Sequence, residues 1–226
     1  MIVAIDGPAA SGKSTVAKRL AKRLGFKYLD TGALYRALTL KAIESQIDLQ
    51  DESALGLLMD NTCLELQSVT DDEVKVLLDG RDVSKEIRRT IVTNLVHHIA
   101  GSPSVREKMV RLQRKIAYGG NTVAEGRDIG TIVFPDADKK FYLDADVQER
   151  AKRRFAELKS NENVSGEITV AQVSAELNQR DYKDIKRAVS PLRRADDAVY
   201  IDTTNLTVEE VVKTLLRQIQ SSRLNQ

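Results

Sequence analysis

Apolar positions along this 226-residue chain alternate between short β-rich runs and longer amphipathic stretches. Ile2, Val3, Ala4 and Ile5 form a brief apolar run that stops at Asp6 and a glycine, the pattern of a buried strand. In residues 14–24, Val16, Ala17, Leu20, Ala21 and Leu24 share one helical face, and Gly25 stands where a C-terminal cap belongs. Runs at 27–29, 122–124, 139–143 and 198–201 read as further strands, and 103–117, 146–159 and 207–222 as helices between them. The last three strands each end beside a carboxylate: Glu125, Asp144 and Asp202. Strands joined through helices need parallel crossovers, so the expected class is α/β with a five-stranded parallel sheet.

Two stretches break the alternation. Leu64, Glu65, Leu66 and Gln67, followed by residues 73–78, flank Thr70, Asp71 and Asp72 and close on Asp79, Gly80, Arg81 and Asp82. This reads as an antiparallel β insertion over about 62–83, outside the parallel sheet. Residues 160–195 are polar, glycine-poor and strongly charged, and read as an irregular, mobile flap. The expected division is a core of 1–30, 118–144 and 196–226, a second region at 31–117 carrying the insertion, and a helical lid at 145–195.

Composition narrows the classes. At 42% hydrophobic residues the chain can fill a core, and 35 Lys and Arg against 33 Asp and Glu leave a net charge of only +2, which disfavours a protein that coats nucleic acid. Aromatic residues are 4% with no Trp, a poor supply for stacking successive bases. Between 145 and 195, however, 11 Lys and Arg face 8 Asp and Glu, so the basic excess is local. Cys63 is the only cysteine, which excludes an intramolecular disulfide and a thiolate zinc cluster; it reads as a small buried apolar residue in a protein of a reducing compartment. The first apolar run is too short for a secretory signal, and no stretch approaches the ~18 apolar residues of a membrane span. The expectation is a soluble, cytoplasmic monomer without nucleic-acid or membrane partners.

The strongest chemical signal lies between the first strand and the first helix. Gly7, Pro8, Ala9, Ala10, Ser11, Gly12, Lys13 and Ser14 match G-x-x-x-x-G-K-[ST]. Its glycines turn backbone N–H groups toward anionic oxygens, the helix N-terminus adds positive potential, Lys13 reaches the outer phosphates and the Ser14 hydroxyl is a Mg²⁺ ligand. ATP or GTP is the expected ligand. Neither a DxxG nor an NKxD segment accompanies the loop, which disfavours a switch GTPase and favours a small-molecule kinase. A kinase for a non-nucleotide acceptor and a non-catalytic nucleotide-binding module are the rival classes.

Phosphoryl transfer depends on positioning and charge neutralisation, so arginines mark the acceptor side. They gather in residues 29–36, 125–128, 149–154 and 179–187. Arg36 and Arg127 follow strand ends, where open α/β sheets bind ligands. On a helix Arg150, Arg153 and Arg154 share one side; they either meet the transferring phosphoryl group or pair with Glu149 and Glu157 on a solvated face.

Four segments together resemble the bacterial cytidylate kinases over essentially the whole chain. They are Ile5 and Asp6 leading into the phosphate loop; Leu29-Asp30-Thr31-Gly32-Ala33-Leu34-Tyr35-Arg36; Glu125-Gly126-Arg127-Asp128-Ile129-Gly130-Thr131-Ile132-Val133-Phe134-Pro135; and Gln179-Arg180-Asp181 leading to Arg187-Ala188-Val189-Ser190-Pro191-Leu192. The resemblance implies a P-loop nucleoside monophosphate kinase that passes the γ-phosphate of ATP to CMP or dCMP, with Mg²⁺. It implies that residues 7–15, ending at Thr15, hold ATP, with Arg150, Arg153 and Arg154 approaching from the lid. Arg36, Arg127 and Arg187 then face the acceptor phosphate beside Thr31, Arg106 and Asp128 read the cytosine edge, and Arg180 and Asp184 hold the ribose. A carboxylate accepts from the cytosine amino group and opposes the uracil carbonyl at the same position. The attacking phosphate oxygen is already anionic, so no general base is required. His97 stands where the family pattern suggests a small hydroxyl residue, and its ring either reaches the base or turns away. The adjacent His98 reads as a plain helix residue pointing another way, which disfavours a two-histidine metal site. Glu125, Asp128 and Asp6 all qualify as the carboxylate supporting Mg²⁺.

Overall fold

Residues 1–70, 73–160 and 168–221 are described by the computed structural model of the chain. Ile2–Asp6 (β1) is fully apolar at Val3, Ala4 and Ile5, all at 0% exposure, because it is the middle strand of a sheet covered on both faces. The phosphate loop leads into Lys13–Leu24 (α1), which Gly25 ends with φ 65° as expected. Lys27–Asp30 (β2) runs directly into Thr31–Glu44 (α2), where the Asp30 side chain caps the helix by accepting from Ala33 N at 2.8 Å.

Glu52–Asp60 (α3) precedes the insertion, which is Leu64–Thr70 (β3) paired antiparallel with Glu73–Leu78 (β4). Arg81–Asp82, expected as turn residues, instead forms a short third strand (β5) after a two-residue turn at Asp79 and Gly80, with φ of 50° and 82°. Thr90–Gly101 (α4) and Pro103–Ala117 (α5) return the chain to Thr122–Gly126 (β6). A π-helical turn at Ile129–Val133 leads to Lys139–Asp144 (β7), then Val147–Ser160 (α6), Val170–Lys186 (α7), Val199–Asp202 (β8) and Val208–Ser221 (α8).

The main sheet has the order β2-β6-β1-β7-β8, parallel throughout. Its residues Val3, Ile5, Val123, Phe141 and Leu143 pack against α1 and α8, while Ala4, Leu29 and Ala124 join the larger core that holds α2 to α5 and the insertion. A third, small cluster joins Ala9 of the phosphate loop to Ala151, Val173 and Leu177 of α6 and α7.

The structure corrects several expectations. Much of the stretch read as an irregular flap is the 17-residue helix α7, started by a reciprocal capping box between Thr169 and Gln172; Glu176, Lys183 and Lys186 lie outward, while Asp181 and Asp184 are buried on the same side as Val173 and Leu177. Residues 161–167 lie outside the described residues. Cys63 is exposed, because it stands in the connection before β3, and its thiol donates to Glu65 at 3.3 Å. His97 and His98 do not diverge: their rings are 4.1 Å apart at the tail of α4. Helices α2, α3 and α4 carry no clean polar stripe; α2 is buried along most of its length, which erases the amphipathic signal.

Candidate active site

The phosphate loop owes its path to two glycines. At Gly7, φ is 148° and a Cβ would fall 2.0 Å from the Leu143 carbonyl oxygen, so no other residue fits against β7. Gly12, at φ 89°, precedes α1 without any side-chain cap, which leaves the first-turn N–H groups of α1 for an anion. Lys13 Nζ donates to Pro8 O at 2.5 Å and to Ser11 Oγ at 3.3 Å. Burial, helped by the Arg127 charge, pulls the Lys13 ammonium down to about 7.

One step along the sheet, β6 ends in Glu125 and Gly126. Glu125 Oε1 accepts from Ser14 Oγ at 2.6 Å and from the Tyr28 hydroxyl at 3.3 Å. Thr31 Oγ1 donates to the Glu125 carbonyl at 2.7 Å, and a Cβ at Gly126 would meet that same hydroxyl at 2.6 Å. The three candidate metal carboxylates are thereby distinguished. Asp6 accepts from Ile129 N at 2.8 Å and Gly130 N at 2.7 Å, bracing the π-helical turn, and Asp128 is engaged by Arg106. Glu125 alone of the three touches Ser14, and burial raises its pKa together with the nearby Asp30 charge. Among the described residues no group of three or more His, Cys, Asp or Glu gathers around a metal position.

The arginines expected on the acceptor side lie in linked electrostatic fields, Arg127 acting on Lys13, Arg127 and Arg36 on Arg180, and Arg127, Arg180 and Arg187 on Asp184, and most of them rest on internal acceptors. Arg36 pairs with Asp30 at 3.1 Å, Arg127 Nε donates to Asp184 at 2.9 Å, and Arg187 Nε donates to Val189 O at 2.8 Å, with a second contact to Ser190 O. Arg106 and Asp128 form a buried ion pair, with Arg106 Nη1 also donating to Ala100 O at 3.1 Å and its guanidinium over the Tyr35 ring at 5.4 Å. Arg180 differs: no hydrogen bond or ion pair holds it among the described residues. Burial, with Arg127, Arg36 and Arg154 nearby, draws its pKa down to about 10. Asp184 is the carboxylate whose charge acts on it in the opposite sense.

The lid arginines do not form one phosphate-facing group, as expected from helical spacing. Arg150 is 7% exposed and donates to Ala145 O at 3.0 Å, to Ala9 O at 3.1 Å and to Asp181. Arg153 donates to Thr203 O at 2.7 Å and pairs with Glu149 at 3.0 Å. Arg154 pairs with Glu157 at 2.8 Å but contributes to the field around Arg180. Both acidic partners are those of the solvated-face alternative. His97 Nδ1 lies 2.8 Å from Asn94 O, so the hydrogen sits on Nδ1 and Nε2 faces Lys183 Nζ at 3.4 Å. With Tyr182, Asp184, Lys186 and Arg187 it lines a cavity of about 300 Å³ beside the acceptor arginines.

Three side chains at the site went unassigned in the sequence. Tyr35 lies in the second quoted segment, and its neighbour Gln113 is fully buried on the α5 stripe shared with Arg106 and Met109. Asp181 was within a quoted segment, but its partner Ala9 is 172 positions away.

A glycine-shaped anion loop after the central strand, a serine–carboxylate pair at its base, and arginines brought to it from α2, the end of β6 and the end of α7 define a P-loop phosphotransferase. The family model for cytidylate kinase matches residues 3–221. Curated cytidylate kinases include one from Caldanaerobacter subterraneus subsp. tengcongensis, 48% identical over 220 residues, covering 97% of this chain and 95% of that one. Another, from a Geobacillus species, is 50% identical over 214 residues, 95% of this chain and 94% of that one. The solved structure of an uncharacterized protein from Eubacterium ventriosum superposes with a TM-score of 0.53 at 12% identity, over 98% of this chain and 99% of that one, which is a likeness of fold. The chain belongs to the cytidylate kinase family, and is a phosphotransferase enzyme.

Proposed function

We propose that the chain transfers the γ-phosphoryl group of ATP to CMP or dCMP, giving ADP and CDP or dCDP. The observation that carries the reading is that the anion loop after β1 lies in one linked charge cluster with Arg36, Arg127, Arg180 and Arg187, joined through Lys13 and Asp184. Two unit charges about 4 Å apart repel by about 4 kcal/mol at an effective dielectric of about 20, so cations are needed where two polyanions approach each other. Residues 7–15 take the ATP phosphates, Lys13 bridges the outer ones, and Arg154 meets the transferring group. Thr31, Arg36, Arg127 and Arg187 hold the acceptor phosphate, which attacks without a base, and Arg180 and Asp184 hold its sugar. Arg106 and Asp128 read the base, a donor and an acceptor already fixed against each other. Arg150 and Arg153 act by bracing the loop and the lid.

Mg²⁺ fits the Ser14 and Glu125 oxygens, 2.6 Å apart at the base of the loop, with phosphate oxygens completing a hard-oxygen shell. When bound, it neutralises charge on the outer phosphates. We divide the chain into the core 1–30, 118–144 and 196–226, the acceptor region 31–117 and the lid 145–195. No helix among the described residues is long and apolar enough to cross a membrane. The exposed Cys63 thiol suits the reducing cytoplasm.

A panel of CMP, dCMP, UMP, AMP, GMP, dTMP and shikimate with ATP and Mg²⁺ tests this. CMP and dCMP should turn over by far the fastest; comparable rates on AMP or shikimate overturn the reading.

A further inference from the structure

Asp181 is 8% exposed on α7, and both of its oxygens are engaged. Oδ1 accepts from Ala9 N at 3.1 Å, and Oδ2 accepts from Arg150, whose Nη1 also donates to Ala9 O at 3.1 Å. Both backbone polar groups of one phosphate-loop residue are therefore held by side chains from the lid helices. Ala9 also packs with Ala151, Val173 and Leu177, so the contact is apolar as well as polar. The next loop residue, Ala10, has φ 59°, a conformation that an unsupported alanine rarely keeps.

The same helix reaches the acceptor side. Leu177, Asp181 and Asp184 recur at intervals of four and three, so they form one stripe of α7. Leu177 and Asp181 touch the phosphate loop, and Asp184 holds Arg127 at 2.9 Å. A shift of α7 toward or away from the acceptor must move Ala9, because a charge-assisted contact in a buried site does not stretch without loss.

We infer that Asp181, held by Arg150, is a positioning residue that couples the acceptor site to the ATP loop through Ala9. Asp181 touches neither nucleotide in this arrangement. It sets the shape of the loop entrance and passes the position of α7, fixed by acceptor contacts at Arg180 and Asp184, to the donor side. The inference rests on the assignment of residues 7–15 to ATP and of Arg127, Arg180 and Asp184 to the acceptor. Coupling of this kind appears as mutual tightening of two ligands and is the same in either order of binding.

The test is calorimetric titration of a non-hydrolysable ATP analogue with Mg²⁺, with and without CMP, on the wild type, Asp181→Ala, Asp181→Asn and Arg150→Met, each checked by thermal melting. In the wild type, CMP is expected to tighten the analogue by at least about fivefold. Asp181→Ala should weaken the analogue by about tenfold and bring the CMP effect close to one, as loss of a buried charge-assisted hydrogen bond implies. Asp181→Asn keeps an oxygen for Ala9 N–H and should recover most of the analogue affinity. Arg150→Met should lose the coupling as Asp181→Ala does. Wild-type coupling absent, coupling intact in Asp181→Ala, or losses in Asp181→Ala that merely follow its melting temperature and are not rescued by Asn would each overturn the inference. Failure of the wild type to phosphorylate CMP would instead strike the functional reading, since analogue binding is measured without turnover.

Discussion

Arg127 and Asp184 meet at 2.9 Å, the guanidinium from the loop after β6 and the carboxylate from the last turn of α7. Burial works to raise the Asp184 pKa, but the Arg127 and Arg180 charges overcome it and hold the group below the ordinary carboxylate value. This pair is a direct polar contact between the loop after β6 and α7. Asp184→Asn should raise KM for CMP by about tenfold and change KM for ATP by less than about twofold, because a charge-assisted hydrogen bond on the acceptor side is weakened. Steady-state kinetics with each substrate varied in turn check the split; equal increases contradict it.

Lys13 is held in the loop in a state that burial disfavours. Lys13→Met should reduce turnover by at least about a hundredfold, the scale of losing one donor aimed at developing charge. The same variant should melt no lower than the wild type, since it removes a buried charge whose ammonium is drawn down to about 7. Turnover assays and calorimetric melting decide the two halves separately.

Asp6 and Lys13 make opposite contributions to the pH dependence of stability. Burial raises the Asp6 pKa from 3.8 to about 7, so between those values the folded chain keeps a proton that the unfolded chain releases. The Asp6 contribution therefore falls as pH rises through that window and levels off above it. Lys13 is lowered from 10.5 to about 7, so in that upper window the unfolded chain holds the extra proton and stability rises with pH. The melting temperature of wild type minus Asp6→Asn should decline from pH 4 to 7, and that of wild type minus Lys13→Met should climb from pH 7 to 10. Flat differences would contradict both shifts.

Removing Asp128 strands a buried cation. Arg106 is 3% exposed, so Asp128→Ala should lower stability by about 3 kcal/mol, whereas Asp128→Leu combined with Arg106→Met should recover part of that loss. In Asp128→Asn, turnover of CMP should fall more than turnover of UMP, because the amide no longer presents a full acceptor to the cytosine amino group. Denaturant unfolding and the paired acceptor assay test these outcomes.

How much was legible depended on how local each interaction is. The phosphate loop was readable because its conformation is written in two glycines and a helix start within eight residues. The parallel sheet followed from apolar runs, and the hairpin from alternation around a turn. The acceptor arginines were visible as residue types, but their roles came from the resemblance. The lid was expected to be helical, but α7 itself was read as an irregular flap because its charged positions mask its inward ones, although Thr169 and Gln172 carry a helix-start signal. Helical spacing suggested that Arg150, Arg153 and Arg154 share one side, yet in the folded chain they reach Ala9 and Asp181, Thr203, and Glu157 respectively, which spacing does not show. Ala9 meets Arg150 and Asp181, contacts spanning 141 and 172 positions, and only the folded chain brings them together.

The strand order has a consequence for how such a site can change. Asp6 is level with Gly126, and Glu125 with Asp30, so β1, β6 and β2 end together and release the glycine loop, Arg127 and the start of α2 side by side. Neighbouring strands are about 4.8 Å apart, a pitch fixed by backbone hydrogen bonds. The sheet thus acts as a ruler on which donor and acceptor groups are spaced by peptide geometry. Substituting side chains along this edge can alter which acceptor is chosen, while the span across which phosphate must pass stays set by the strands beneath.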